Sequence, residues 1–350
     1  MTPVPSSPRP RRWPIWGVPA AALAALVLFT IIFEAATKGE SVLIKPENLL
    51  NILRQVSFVG IIAIGMTLVI TLGGIDLSVG SLVAFLGGIG VLLMNAMLAR
   101  GAGQWTSVIA AFGLILAAGV IAGALNGVLV AKGKLAPFIA TLGGLAAYRS
   151  LAMAFVAGGE YRSSSAGVFE LAGSGGIPIP GTNIAPRAPV PIPLTLPWPV
   201  LVFALAAVVG WIIINRTRLG RYIIAIGSNE RAARYSGILV DRVKIATYSL
   251  LGLATGVSAL LSASRLNSVS SSSSGSLYEL DAIAAVVIGG TRMRGGSGVI
   301  AGTVIGALIL GVIQNMLNLL QVSVYLQGLV KGLIIVGAAL LQRAESDSAG

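Results

Sequence analysis

The amino-acid sequence predicts an all-α integral membrane protein of about ten transmembrane helices, and three observations carry that prediction. Only 10% of the 350 residues are charged and 55% are hydrophobic, whereas a soluble domain carries about a quarter charged residues. Apolar runs of about 20 residues, the length a helix needs to cross the hydrocarbon, recur along the chain between charges, prolines and glycines. Finally, 24 Lys and Arg stand against 12 Asp and Glu. In a membrane chain this excess reports sidedness before any nucleic-acid partner, because Lys and Arg collect on the cytoplasmic side.

Ten runs fall near 15–34, 56–73, 77–99, 106–130, 135–157, 198–215, 245–263, 280–290, 297–319 and 324–341. The first follows Arg9, Arg11 and Arg12; its length, with no cleavage site behind it, makes it a retained helix with its N-terminus inside. Runs two and three form an inner hairpin around GGIDLSVG, Gly73 to Gly80. There Asp76 or Ser78 either caps the third helix or places a polar element at the inner mouth of a pathway. The fourth run repeats Gly119, Gly123 and Gly127, the ninth Gly298, Gly302 and Gly306, and the seventh carries Gly252 and Gly256. Such flat faces let helix backbones approach closely in lipid, within one chain or between two copies.

Charges near the middle of a span cost about 2.5–3.5 kcal/mol. Two basic residues lie within spans: Arg149 in the fifth and Lys331 in the tenth, at similar depths, with Glu279 and Asp281 at the outer end of the eighth. They are expected to face a wet cavity in the outer half, or else to snorkel to the headgroups. The eighth run is too short to cross unaided, so its polar flank is expected to dip into the membrane beside protein or water.

Alternation from an inner N-terminus places 15 basic residues on inner segments and seven on outer ones, supporting an N-in, C-in arrangement. The chain then divides into an inner tail 1–14, one transmembrane domain 15–341 and an inner tail 342–350. An outer Pro-rich loop, 158–197, holds with the edge of the next span half of the 16 prolines and favours extended backbone. The inner loop 216–244 is the longest cytoplasmic segment.

Several chemistries are excluded. With no Cys and no His there is no disulfide framework, no thiolate or Ser/His nucleophile, no zinc site built on those residues and no axial histidine for haem. No Asp, Glu or His stands near the centre of a span, where a proton-coupled carrier usually keeps a titratable group. The one Gly-Lys pair, Gly133-Lys134, is followed by Leu135, so no phosphate-binding loop is present. A nucleotide-driven mechanism needs a separate ATPase.

Four segments in order, GMTLVITLGGIDLSVGSLVAF (Gly65 to Phe85), APFIATLGGLAAYRSLA (Ala136 to Ala152), AIGSNERAARYSGI (Ala225 to Ile238) and LYELDAIAAVVIGG (Leu277 to Gly290), resemble the permease subunit of ribose/xylose-type ATP-binding-cassette sugar importers. The resemblance covers nearly the whole chain. It implies a vitamin-B12-permease-like bundle (type II importer) in the cell inner membrane, paired with a second permease copy. The implied partners are ATPase subunits inside, which hold the ATP and Mg while this chain binds no cofactor, and a soluble sugar-binding protein outside. AIGSNERAARYSGI is similar to the family's ATPase-coupling segment, which implies that role for Gly227, Asn229, Ala232, Ala233, Ser236 and Gly237. Physically, Asn229 or Ser228 would cap a short helix from Glu230, Ala232 and Ala233 would let it seat in a groove, and Gly237 would end it. Asp76, Ser78, Arg149, Asp281 and Lys331 are the pathway candidates. Permeases of the same fold for nucleosides or branched-chain amino acids are the near alternative, and an ion-coupled carrier the distant one. The run Ser270 to Ser274 and the long Pro-rich loop depart from the family pattern on the outer side.

Overall fold

The structure, a computed structural model, describes residues 16–38, 41–155, 158–165, 167–182, 193–323, 326–334, 336 and 337. Both expected tails, 1–14 and 342–350, lie outside the described residues. Each of the ten apolar runs holds a helix among the described residues, with non-helical residues at the ends of several runs. These helices are α1 (Gly17–Lys38), α2 (Pro46–Thr71), α3 (Val79–Ala99), α4 (Gln104–Ala131), α5 (Pro137–Ala154), α7 (Trp198–Arg216), α10 (Val240–Leu266), α11 (Tyr278–Ile288), α12 (Ile300–Leu319) and α13 (326–334). Proline opens α2, α5 and α7 within their first two positions, where its missing N–H has no intrahelical partner to lose.

Seven of these helices, α1, α2, α3, α4, α7, α10 and α12, are long and apolar enough to cross a membrane, and the chain is a multi-pass membrane protein. The others fall short for visible reasons. Helix α5 ends after 18 residues and carries Arg149, α11 has 11 residues, and the tenth run is described only in part.

Helix α2 forms the centre: 78% of its most apolar stretch is buried, against 17% for the peripheral α1. The glycine faces pack within the chain. A Cβ on Gly123 would lie 2.2 Å from the Tyr248 carbonyl oxygen, and one on Gly119 2.6 Å from that of Gly252, so α4 lies backbone to backbone along α10. Gly302 and Gly306 seat α12 on α11 in the same way, against Gly289 and Ala285.

Between α5 and α7 the chain forms β1 (Glu160–Arg162), which pairs antiparallel with β4 (Ser268–Ser270) after α10, Glu160 opposite Ser270. The one-turn α6 (Glu170–Ser174) packs on α10 through Gly173, whose N–H donates to Ser264 Oγ at 2.9 Å. The Pro-rich loop is closed at its base by β2 (Gly176–Pro178) and β3 (Thr195–Pro197), paired antiparallel; residues 183–192 lie outside the described residues. The long loop between α7 and α10 is filled by α8 (Arg218–Ser228) and α9 (Glu230–Tyr235).

Candidate coupling and transport sites

The inner segment folds as its sequence dictates. Thr217 caps α8, accepting from Gly220 N at 3.2 Å, and Asn229 caps α9, its Oδ1 accepting from Ala232 N at 3.0 Å. Ser228, the alternative cap, donates back to Ile224 O instead. At the far end Gly237 has φ +81°, and the bonds Ile238 N to Ala233 O and Gly237 N to Arg234 O close a Schellman motif that only a residue tolerant of the left-handed region makes cheaply.

The six coupling candidates split by direction. Ala232, Ser236, Asn229 and Gly237 are exposed on the surface of the chain, while Ala233 is buried. Gly227 faces the spanning core, with its Cβ position 1.9 Å from Thr71 O and 2.6 Å from Gly296 N. Those two backbone atoms bond each other at 2.8 Å. Helix α8 is therefore wedged onto the C-terminal end of α2 and the loop before α12, and α9 presents an exposed face. That face carries Tyr235, 93% exposed, and Leu239, the residue before α10, is 60% exposed. Neither was singled out from the sequence, although an aromatic in a short, otherwise polar and small-residue helix is the signal that could have found Tyr235.

Behind α9 lies a cavity of about 730 Å³ bounded by Gly73 and Gly74, Lys134, Glu230, Arg234, Lys244 and Tyr248 among others. An ionic cluster holds α9 to α10 across it: Lys244 Nζ to Glu230 at 2.9 Å, with Arg234 at 3.3 Å from both Glu230 and Asp241. Burial alone would raise the Glu230 carboxyl. Hydrogen bonds and charge from Lys244 and then Arg234 outweigh it and hold the group below the ordinary glutamate range.

Asp76 is 2% exposed and sits in a closed cluster. Its Oδ1 accepts from Ser78 N at 2.8 Å and Ser78 Oγ at 2.6 Å, and Asn126 Nδ2 donates to Asp76 Oδ2 at 3.1 Å and to Ser78 Oγ at 2.9 Å. Leu77 N donates to Thr141 Oγ1 at 3.1 Å. Ser78 holds the cap position of α3, but neither side chain caps that helix. Asp76 instead ties the hairpin to α4. Asn126 went unremarked in the sequence, yet a lone Asn in a 28-residue apolar helix needs a buried partner for the reason that charges do.

The four outer charges separate into two groups. Arg149 turns onto the serine-rich segment, donating to Ser271 O at 3.0 Å and Ser274 O at 3.1 Å, within electrostatic reach of Glu279. Asp281 and Lys331 pair at 2.9 Å and line a cavity of about 310 Å³ with Gln55, Arg265, Tyr278 and Gln314. Asp281 Oδ1 and Gln314 Oε1 are buried there without a hydrogen-bond partner among the described residues. The single wet cavity expected for all four thus resolves into an anchor for a loop and a polar chamber. Beside the short eighth run, Gly275 O reaches the first turn of α3 at Gly80.

Comparison with known proteins matches the four sequence segments at the scale of the whole chain. Over 319 residues the chain is 41% identical to the ribose import permease protein of Escherichia coli K12, covering 91% of each chain. The ribose import permease protein of Bacillus subtilis is 41% identical over 322 residues, 92% of each. The xylose transport system permease protein of Escherichia coli K12 is 32% identical over 366 aligned residues, 92% of this chain and 91% of that one. No solved structure matches. The profile described as "branched-chain amino acid transport system / permease component" matches residues 48–339, and the chain belongs to that family of transport-system permeases.

Proposed function

We propose that this chain is the membrane-spanning permease subunit of an ATP-driven importer for a monosaccharide of the ribose or xylose kind. The observation that carries the reading is the inner segment: a short helix, capped at both ends, presents Tyr235, Ala232 and Ser236 outward while its neighbour is wedged by Gly227 onto the central helix. A partner that moves α9 moves α8, and α8 moves the inner end of α2. Identity of 41% to ribose import permeases over nearly the full length supports the sugar.

In this reading about ten helices lie N-in and C-in in the inner membrane, in a vitamin-B12-permease-like bundle, and two copies enclose the path. ATP and Mg bind to a separate ATPase seated on Asn229, Ala232, Ser236 and Gly237, with Gly227 and Ala233 as the packing behind them. A sugar-binding protein docks outside, where the Pro-rich loop lies. Asp76 and Ser78 fix the inner hairpin, and Arg149, Asp281 and Lys331 order the outer polar elements. Transport proceeds by alternating access, and this chain performs no hydrolysis. A neutral solute needs weak polar contacts that it can leave, which suits a chain with so few intramembrane charges.

The test is co-purification followed by reconstitution. The reading expects an ATPase subunit to be recovered with the permease, with hydrolysis rising on addition of a pentose-loaded binding protein and pentose accumulating in the vesicles. Uptake by the chain alone, driven by a proton gradient, would sink it. Accumulation of leucine and not pentose would assign the cargo that the family description names.

A further inference from the structure

The serine run left over from the sequence reading occupies an unusual place. After α10 the chain pairs as β4 with β1, then descends without helix through residues 271–277 before α11 begins. Gly275 within it reaches α3: its carbonyl oxygen lies 2.3 Å from where a Cβ of Gly80 would stand. Gly80 is in the first turn of α3, about 28 Å along the axis from Ala99 at the helix's other end, at 1.5 Å per residue. That distance is close to the hydrocarbon thickness of roughly 30 Å, so irregular backbone reaches membrane depth.

One side of this loop is held by the protein. Arg149 bonds the carbonyls of Ser271 and Ser274, Ser271 Oγ donates to Gly159 O at 2.8 Å, and Ser270 N donates to Ser274 Oγ at 3.0 Å. On the other side Ser272, Ser273 and Ser276 are exposed on the surface of the chain. Irregular backbone at membrane depth is tolerated where it is buried in protein or lines water, not where it faces lipid tails. Each serine hydroxyl both donates and accepts, as a sugar hydroxyl does, and none of the three carries a charge that would hold a neutral solute too tightly or attract ions.

Resting on the reading of the chain as a sugar permease, we propose that this re-entrant loop lines the water-filled solute path, and that Ser272, Ser273 and Ser276 are hydroxyls to which a polyhydroxylated solute bonds in passing. Arg149 acts as the positioning residue that keeps the loop at depth.

The chain has no cysteine, so single-cysteine variants need no prior engineering. Ser272→Cys, Ser273→Cys and Ser276→Cys are reconstituted with the ATPase and binding protein and exposed to a small, charged, membrane-impermeant thiol reagent. Ser164→Cys on an exposed outer loop is the accessible reference, and Leu205→Cys on the apolar, 62% exposed face of α7 is the lipid-facing one. The expected result is labelling of the three loop positions at rates near the Ser164→Cys reference and far above Leu205→Cys. Saturating ribose or xylose should slow that labelling several-fold, and leucine should not. Loop cysteines no more reactive than Leu205→Cys would overturn the proposal, whether lipid or a protein partner covers them. Protection by leucine alone, or by no solute, would also overturn it. Pentose uptake by the unlabelled wild-type complex separates the two levels. If uptake is present while the serines are unreactive, only this inference fails; if uptake is absent, the functional reading fails first.

Discussion

Alanine at Gly227 tests whether α8 is the mechanical link between the inner surface and the spanning core. Its Cβ would stand 1.9 Å from Thr71 O and 2.6 Å from Gly296 N. Both are backbone atoms already bonded to each other, so no rotamer change relieves the contact. Helix α8 must retreat by about 1 Å, and overpacking of this kind costs about 1–3 kcal/mol, equivalent to a factor of roughly 5–150 between seated and displaced states. Gly237 supplies the comparison within the same segment, because nothing lies within 4 Å of its Cβ position and φ is +81°. Alanine there meets only left-handed strain, about 1–2 kcal/mol, which loosens the end of α9 without unseating α8. The assay is pentose uptake and binding-protein-stimulated ATP hydrolysis in vesicles, with thermal unfolding of the purified permease alongside. Gly227→Ala should lose stimulation and most uptake while the ATPase keeps its basal rate; Gly237→Ala should lose less of both. Wild-type coupling in Gly227→Ala, or a larger defect in Gly237→Ala, would refute the argument that the wedge against α2 carries the motion.

Other consequences are simpler. Asn229→Ala removes the acceptor for Ala232 N and should cost about 1 kcal/mol of local stability, seen as reduced stimulation of hydrolysis, whereas Asn229→Asp keeps the acceptor and should keep coupling. Asn126→Leu strips Asp76 Oδ2 and Ser78 Oγ of a shared donor, leaving buried polar groups short of a partner at about 1–3 kcal/mol, and thermal unfolding should come earlier. For Glu230, whose carboxyl is held below its ordinary range, the contribution is fully present above the unfolded value of about 4.3 and is lost as pH falls through the folded value. The stability gap between wild type and Glu230→Gln should therefore be flat near neutrality and close below about pH 4. Because the glutamate side chain is 43% exposed, that gap should stay under about 1 kcal/mol and shrink in salt.

How much was legible in the sequence depended on whether the signal was local. The helices were legible because each needs its own apolar run, and the Asn229 and Gly237 caps because a cap is chosen by residues within one turn of it. The depth of the serine loop was legible only as an expectation from the short eighth run; nothing within SSSSS says that Arg149, more than a hundred residues away, holds it. The same is true of Asp76. Its position before α3 suggested a cap, but a carboxylate bonds the strongest donors within reach, and Asn126 and Ser78 are brought there by the packing of α4 on the hairpin. Gly227 was placed in the right segment with its direction unread, because a glycine carries no amphipathic signature of the face it lies on.

The placement of α2 joins these local facts. Along it Gln55, in the polar chamber, and Thr71, against Gly227, stand about 24 Å apart at 1.5 Å per residue. Near its middle it is gripped on two sides: the ring of Phe203 stands over Gly60 and the backbone of Leu251 over Gly65. A rigid helix held at its middle answers a push at one end with an opposite shift of similar size at the other. An ångström at Thr71 would thus arrive as about an ångström at Gln55, on the wall of the chamber that Asp281 and Lys331 also line. Interior packing is dense and resists gradual deformation, so such a helix favours two seated positions over a continuum, as the alternating access proposed above would require of it.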